Sequence, residues 1–173
     1  AQLEARPISA IRGVVIHCTE TPDLASARQM GEQARYPSGT GNSGHFYIDL
    51  DGRILQYVAI ERVAHHVRGR NADSIGIELV NRGRYPLWLH AGHQAMEAPY
   101  TPAQIEALRA LLGELERRLP ELDWIAGHED LDREWVPAQD DPGQRVPRKR
   151  DPGPMFPWQA VLAGSRLRRQ GDD

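Results

Sequence analysis

The sequence has little of the chemistry that marks several classes of protein. It contains a single cysteine, Cys18, which excludes an internal disulfide. No apolar stretch approaches the roughly 20 residues that a transmembrane helix needs. The net charge is −3 and the pI is near 6.2, so no overall basic field favours nucleic acid as a partner. Internal repeats, low-complexity segments and linkers are also lacking.

What the sequence does contain fits a folded globular protein. Of its 173 residues, 40% are hydrophobic and 26% are charged, which favours a chain with a real core over a disordered one. We expect a single domain over residues 1–173, with its core at about residues 11–165. Basic residues cluster at Arg145–Arg150 and Arg166–Arg169, and we interpret both clusters as solvated surface.

Strand and helix patterns alternate along the chain and predict an α/β fold. Short β-branched runs predict buried strands, and apolar residues at helical spacing predict helices. Since one adjacent pair of strands forms a hairpin, we expect a mixed central sheet flanked by helices. The predicted elements are strands at Gly13–His17, Ser74–Val80 and Trp124–Ala126, a hairpin of His45–Leu50 and Arg53–Val58 around Asp51-Gly52, helices at Asp23–Arg35, after Thr101 and from Pro157, and loops at Asn81–Pro99 and Asp130–Pro154.

The helix after Thr101 has the clearest sequence signature. Thr101 is suited to cap it, Pro102 suits the first helical position, and Gln104 completes a capping box. Its apolar residues recur on one face, which predicts that this face is buried. They are Ile105, Leu108, Leu112, Leu115 and Leu119.

Two histidines and an aspartate stand where strands or turns end. His17 ends the first strand, His128 follows a later strand through Gly127, and Asp151 lies in a turn. Loops at strand ends are where α/β proteins build their sites. Two imidazoles and one carboxylate leave a fourth position open on zinc, as in catalytic sites. The three residues are far apart in sequence, so spacing alone does not identify a ligand set.

Two further charged residues are candidates for catalysis. Glu78 lies within the apolar segment Ser74–Leu79, where a desolvated carboxyl has a raised pKa suited to proton transfer. The alternatives for Glu78 are a solvated strand face or a structural ion pair. Lys149 lies two residues before Asp151, so in extended backbone both side chains point the same way. The alternative is an ordinary surface lysine.

Six segments, in order along the chain, resemble the type 2 N-acetylmuramoyl-L-alanine amidases, the AmpD-like family. That family shares its fold with phage-type amidases and animal peptidoglycan recognition proteins. Each segment alone is weakly diagnostic, but six in the right order are specific together. They are Val14–His17, Ser43–Ile48 with Asp51-Gly52, Ala64–His66, Ser74–Leu79, Gly127-His128 and Lys149–Gly153.

The resemblance implies a zinc site and roles for its neighbours. It implies one Zn²⁺ held by His17, His128 and Asp151, with Glu78 and Lys149 as catalytic partners. The substrate would be peptidoglycan or its muropeptides, cut between the lactyl group of N-acetylmuramic acid and L-alanine. We expect substrate contacts from four more residues and a monomeric protein without nucleic-acid partners. The four residues are His45, His66, Asn81 and Trp88.

The sequence departs from the family pattern at three positions. Gly44 stands where phage-type members have tyrosine, and Asp151 stands where those members use a cysteine ligand. Both departures favour the bacterial branch that uses glutamate for proton transfer. His65 occupies a place that is usually tryptophan, which leaves the shape of the substrate groove open. Strand alternation turns Cys18 away from the site, so we interpret it as core.

Alternative functions and locations follow from the same residues. A peptidoglycan-binding module without catalysis would use the same fold, although the complete ligand set argues against it. A zinc peptidase acting within the stem peptide would use similar ligands and a similar base. With Ala1 rather than Met in first position, we expect the periplasm or cell envelope, with the cytoplasm as the alternative.

Overall fold

The computed structural model describes residues 3–171 and contains eight strands and four α-helices in that range. Two short 3₁₀ turns, at Ile8–Ala10 and Ala91–His93, accompany them. The strands are β1 Gly13–Cys18, β2 Phe46–Ile48, β3 Ile54–Gln56, β4 Ser74–Leu79, β5 Trp124–Gly127, β6 Trp135–Pro137, β7 Arg145–Pro147 and β8 Arg168–Arg169. The helices are α1 Leu24–Gly31, α2 Pro102–Arg118, α3 His128–Leu131 and α4 Trp158–Leu162.

Six strands form a mixed central sheet in the order β3-β2-β4-β1-β5-β8, which confirms the predicted fold class. All neighbours pair in parallel except β2 and β3, the hairpin expected around Asp51-Gly52. In the register of β1 with β4, His17 lies opposite Glu78. In the register of β1 with β5, Ile16 lies opposite Gly127, which directly precedes His128. The parallel pairing therefore gathers these residues at one edge of the sheet.

Both faces of β1 are covered, so every one of its residues is buried. Val14, Ile16 and Cys18 belong to the larger apolar cluster, which includes the inner face of α2. Val15 belongs to a smaller cluster on the other face, with Trp124 of β5. Since side chains alternate along a strand, His17 points to the face opposite Cys18. The interpretation of Cys18 as a core residue is confirmed.

Helix α2 has the predicted start and the predicted buried face. The Thr101 hydroxyl accepts from the backbone N–H of Gln104, and the Gln104 side chain accepts from the N–H of Thr101. The Gln104 amide also donates to the carbonyls of Ile48 and Val80, which ties the helix start to the ends of β2 and β4. Leucines along the helix fill the core, and Leu111 joins the predicted buried face. The buried leucines are Leu108, Leu111, Leu112 and Leu115.

Three features differ from the sequence prediction. Helix α1 ends at Gly31 rather than Arg35, because the N–H groups of Arg35 and Tyr36 bond forward to the Thr40 carbonyl. The segment expected as loop after residue 130 contains the antiparallel pair β6–β7. A short strand, β8, was also missed at the sheet edge. No helix within residues 3–171 is long and apolar enough to cross a membrane.

A buried ion pair fastens the long loop at residues 81–99 to the end of β1. Arg84 is 1% exposed, and its Nε donates to Glu20 Oε1 at 2.8 Å. The Arg84 backbone N–H and Nη2 also donate to the Glu20 carboxylate. Its Nη1 donates to the Pro147 carbonyl at 2.9 Å. One guanidinium therefore joins three segments: the end of β1, the long loop and the end of β7.

We expect Glu20→Gln to lower the free energy of unfolding by about 3–5 kcal/mol, because it leaves the buried charge of Arg84 without its partner. Urea denaturation followed by circular dichroism measures this change. The matched control is Glu32→Gln, which breaks the exposed Arg28–Glu32 pair on the surface and should leave the unfolding midpoint unchanged. Equal small effects of the two substitutions would contradict the anchoring role.

Candidate active site

The site begins with three side chains that converge at the carboxyl ends of β1 and β5. His17 is the fifth residue of β1, and His128 opens α3 immediately after β5. Asp151 lies in the loop that follows β7, and the backbone N–H of Glu129 donates to its carbonyl at 3.0 Å. This bond holds the loop against the start of α3. The three side chains are buried.

The donor atoms of these residues have the chemistry and spacing of a zinc site. Asp151 Oδ2 lies 2.9 Å from His17 Nδ1 and 3.2 Å from His128 Nδ1. The edge of a tetrahedron with metal–ligand bonds of about 2.0 Å is roughly 3.3 Å, so these separations suit one ion. One potential ligand atom from each of the three residues lies within 4.8 Å of the other two. Asp151 Oδ1 is buried without a hydrogen-bond partner among the described residues.

The charge state of Asp151 also suits a cation. Burial alone would raise the pKa of this carboxyl, but its interactions with His128 and, to a smaller extent, His17 hold the pKa well below its ordinary range. The group is therefore a carboxylate. Two imidazoles and one carboxylate leave a further coordination position open, as in catalytic zinc sites.

Glu78 lies beside the ligands, on the neighbouring strand β4. It is partly exposed while the rest of β4 is buried. Burial raises the pKa of its carboxyl, and the charges of Asp151 and Glu20 add to the shift, against His17 and Lys149. Gly44 leaves room for it: a Cβ at position 44 would lie 2.9 Å from Glu78 Cγ. The glycine that departs from the phage-type pattern is thus the residue that accommodates the glutamate.

Lys149 lies in the loop after β7, two residues before Asp151. The side chain is partly exposed, and its positive charge lowers the pKa of Glu78. Lys149 is the only lysine in the sequence. The rest of the 21 lysine and arginine residues are arginines. The basic run around it is not simply solvated, because Arg148 forms ion pairs with Asp132 and Glu134.

His66, expected as a substrate contact, lies behind His17. It is 8% exposed, and its Nδ1 is 3.1 Å from His17 Nε2. Burial holds the pKa of His66 well below its ordinary value, and the neighbouring histidines lower it further. The position of His66 indicates contact with a candidate ligand rather than with solvent.

His45 is fully buried, and both of its ring nitrogens face the protein. Nδ1 accepts from the backbone N–H of Gly76 at 3.0 Å, so the neutral ring carries its proton on Nε2. Nε2 lies 3.0 Å from the Arg62 carbonyl and 2.9 Å from Arg6 Nη2, so its polar contacts are also within the protein. Burial lowers the pKa of His45 to about 4, and the nearby Arg6 charge acts in the same direction. A structural role accounts for every polar atom of this ring.

The side chains of Asn81 and Trp88 form hydrogen bonds that stabilise the long loop. The Asn81 side-chain amide donates to the Ala98 carbonyl at 3.0 Å, and its oxygen accepts from the N–H of Gly83. Trp88 Nε1 donates to the Glu20 carbonyl at 3.1 Å. Their polar atoms are therefore engaged with the loop and with the end of β1. Sequence patterns did not single out Glu20, whose partner lies 64 residues away.

His65, in the place that is usually tryptophan, packs outside the cluster of candidate ligands. Its ring lies edge-on against Tyr36, with the ring centroids 4.3 Å apart. It also lines a small surface depression together with Thr40 and Ser43. His65 therefore contacts Tyr36 beyond the end of α1 rather than a candidate ligand.

Comparison with known proteins shows similarity to two amidases. The chain is 37% identical over 120 residues to the N-acetylmuramoyl-L-alanine amidase AmiD of Escherichia coli strain K12, covering 63% of this chain and 37% of that protein. It is 35% identical over 120 residues to the 1,6-anhydro-N-acetylmuramyl-L-alanine amidase AmpD of Enterobacter cloacae, covering 64% of this chain and 50% of that protein. The chain thus spans half the length of these relatives or less.

A solved structure of AmiD from E. coli shares the fold. The complex of that enzyme with its substrate anhydro-N-acetylmuramic acid-L-Ala-D-γ-Glu-L-Lys superposes with a TM-score of 0.70 at 27% sequence identity, over 97% of this chain and 62% of that one. The model of the family described as N-acetylmuramoyl-L-alanine amidase matches residues 6–154, which include His17, Glu78, His128, Lys149 and Asp151. Since that match covers most of the sequence, the chain belongs to the N-acetylmuramoyl-L-alanine amidase family.

Proposed function

We propose that this chain is a zinc-dependent amidase that hydrolyses the bond between the lactyl group of N-acetylmuramic acid and the L-alanine of peptidoglycan or muropeptides. The observation that carries the proposal is the convergence of His17, His128 and Asp151 beside Glu78 at one edge of the sheet. Family membership supports the choice of bond, and the names of AmiD and AmpD supply the substrate class.

His17, His128 and Asp151 would hold the ion. When bound, zinc supplies Lewis acidity, which polarises a carbonyl and brings the pKa of a bound water towards about 7. Their burial excludes bulk water from one side of the site and keeps the three donor atoms together. Glu78 lies opposite His17 in the register of β1 with β4, and its carboxyl interacts electrostatically with His17, Asp151 and Lys149.

Glu78 transfers the proton in this proposal. Its carboxyl, with a pKa raised by burial, accepts a proton from the attacking water and passes it to the nitrogen of the departing L-alanine. The positive charge of Lys149 stabilises the carbonyl oxygen, which becomes negative when the lactyl carbonyl is attacked. One such donor typically contributes about 2.7–4 kcal/mol to the lowering of the barrier.

We expect Glu78→Gln to lower kcat by about 10²–10⁴-fold, because the amide does not accept the water proton. Zinc content, measured by atomic absorption on the same sample, should stay at the wild-type level. The control Glu97→Gln changes an exposed glutamate of the long loop and should leave kcat unchanged. Hydrolysis by the Glu78 variant at a near wild-type rate, with zinc bound, would remove Glu78 from the mechanism.

We expect Lys149→Met to lower kcat by about 10²–10³-fold with a smaller effect on KM, because its charge acts on the oxyanion rather than on the bound substrate. Steady-state kinetics on a purified anhydro-muropeptide measure both constants. Arg145→Met removes one exposed positive charge from the same segment and serves as the charge-matched control. Equal losses in the two variants would indicate a general electrostatic effect instead.

Chelation and product analysis test the reaction as a whole. We expect a chelator to abolish hydrolysis and added Zn²⁺ to restore it, and mass spectrometry should show a free peptide that begins with L-alanine beside an intact sugar. A cut inside the stem peptide would favour the zinc peptidase alternative. Freshly purified protein that binds muropeptide but contains no zinc would favour the non-catalytic binding module.

The proposal also covers the cellular location, the oligomeric state and the form of the substrate. We propose the periplasm or cell envelope as the location, with the cytoplasm as the alternative, and a monomer as the active form. Comparing rates on sacculi and on anhydro-muropeptides separates intact wall from recycled fragments as the substrate. Light scattering of the purified protein measures its oligomeric state.

A further inference from the structure

The His17 ring faces two different environments through its two nitrogens. Nδ1 points at the candidate metal position, 2.9 Å from Asp151 Oδ2, while Nε2 points away from it, 3.1 Å from His66 Nδ1. A neutral imidazole carries its proton on one nitrogen and a lone pair on the other. Only the form with its proton on Nε2 offers Nδ1 to a metal. The partner of Nε2 therefore decides whether His17 is ready to bind one.

The direction of these hydrogen bonds is set at Ser74, whose hydroxyl contacts the other ring nitrogen of His66. The Ser74 hydroxyl lies 2.6 Å from the Arg70 carbonyl, and a carbonyl oxygen only accepts. The single hydroxyl proton of Ser74 is therefore used there. Ser74 Oγ also lies 3.3 Å from His66 Nε2, so in this contact it accepts, and His66 Nε2 carries the proton.

The same logic runs from His66 to His17. A buried ring whose nitrogens contact a serine and a histidine is stable in its neutral form, which has one proton. With that proton on Nε2, His66 Nδ1 is an acceptor, and His17 Nε2–H donates to it. The lone pair of His17 Nδ1 then faces the carboxylate oxygen of Asp151. Two acceptors at 2.9 Å share no proton, and a cation bound by both relieves their repulsion.

Asn71 and Gly76 hold His66 in place from two sides. Asn71 Oδ1 accepts from the N–H of His66 at 2.9 Å and from the N–H of Val67 at 2.8 Å. On the other side the ring lies against Gly76, where a Cβ would come within 2.6 Å of His66 Cγ. The ring therefore occupies the space that a side chain at position 76 would fill, and it has little room to turn away from His17.

We propose that His66 and Ser74 are positioning residues that hold His17 in the tautomer protonated at Nε2 and so keep its Nδ1 available as a metal ligand. The inference rests on the proposed zinc site, and it assigns to His66 a role other than substrate contact. Outer partners of metal-binding histidines typically contribute 10–100-fold to metal affinity. His66 is 8% exposed and Ser74 is fully buried, so we assign neither residue to substrate binding.

The first test measures zinc affinity without substrate, by competition with a chromogenic chelator at fixed pH. We expect His66→Leu, which removes the acceptor, to weaken Zn²⁺ binding about 10–100-fold. His66→Asn places an amide oxygen near the position of Nδ1 and should recover most of that loss. His65→Leu is the matched control, since its ring packs on Tyr36 away from His17 and its loss should leave the affinity unchanged.

The second test needs no variant. Nitrogen-15 NMR of the metal-free wild-type protein distinguishes the two tautomers of each histidine, and we expect the His17 and His66 rings to carry their protons on Nε2. A His17 ring protonated at Nδ1 would overturn the proposal. So would equal zinc affinities of wild type, His66→Leu and His66→Asn.

These measurements separate the inference from the proposed function. Zinc affinity and tautomer are measured without muropeptide, so normal values in a protein that cuts no amide bond would count against the amidase proposal alone. Conversely, an active amidase with the wrong His17 tautomer would overturn the positioning role and leave the activity standing.

Discussion

Parallel pairing of β1 with β4 and β5 is the constraint on which the rest of the site depends. It places His17 in register with Glu78 and brings the start of α3, with His128, to the same edge. The apolar side chains of these strands fill clusters on both faces of the sheet, so the register is held by the core itself. A shift of one residue would turn His17 into the core and Cys18 towards the site.

The third candidate ligand reaches that edge by a longer route. Asp151 follows a two-stranded hairpin, β6–β7, that lies outside the main sheet. Arg84 holds the end of this hairpin through the Pro147 carbonyl, while its charge is balanced by Glu20 just beyond β1. Ion pairs of Arg148 with Asp132 and Glu134 fix the next residue. The position of Asp151 therefore depends on ion pairs, one of them buried, between residues other than the candidate ligands.

Much of the architecture could be predicted because short segments of the sequence determine the individual strands, turns and helices. The β-branched run at residues 14–16, the Asp51-Gly52 turn and the Thr101 capping box each specify their own element. The early end of α1 and the strands β6 and β7 depend on contacts that short windows do not contain. The candidate ligands stood at recognisable strand ends, and the family resemblance grouped them. Whether a polar ring such as His45 meets solvent or distant backbone depends on pairings 17–31 residues apart.

The single lysine has a consequence for chemistry performed on the protein from outside. Arginine supplies every other positive side chain, and its guanidinium stays protonated and unreactive towards acylating reagents at neutral pH. An amine-directed label, a crosslinker or an acetyl group can therefore modify only one side-chain amine in the chain, that of Lys149. Its rate of acylation therefore reports how accessible the segment just before Asp151 is, and mass spectrometry of the one peptide that contains Lys149 measures that rate.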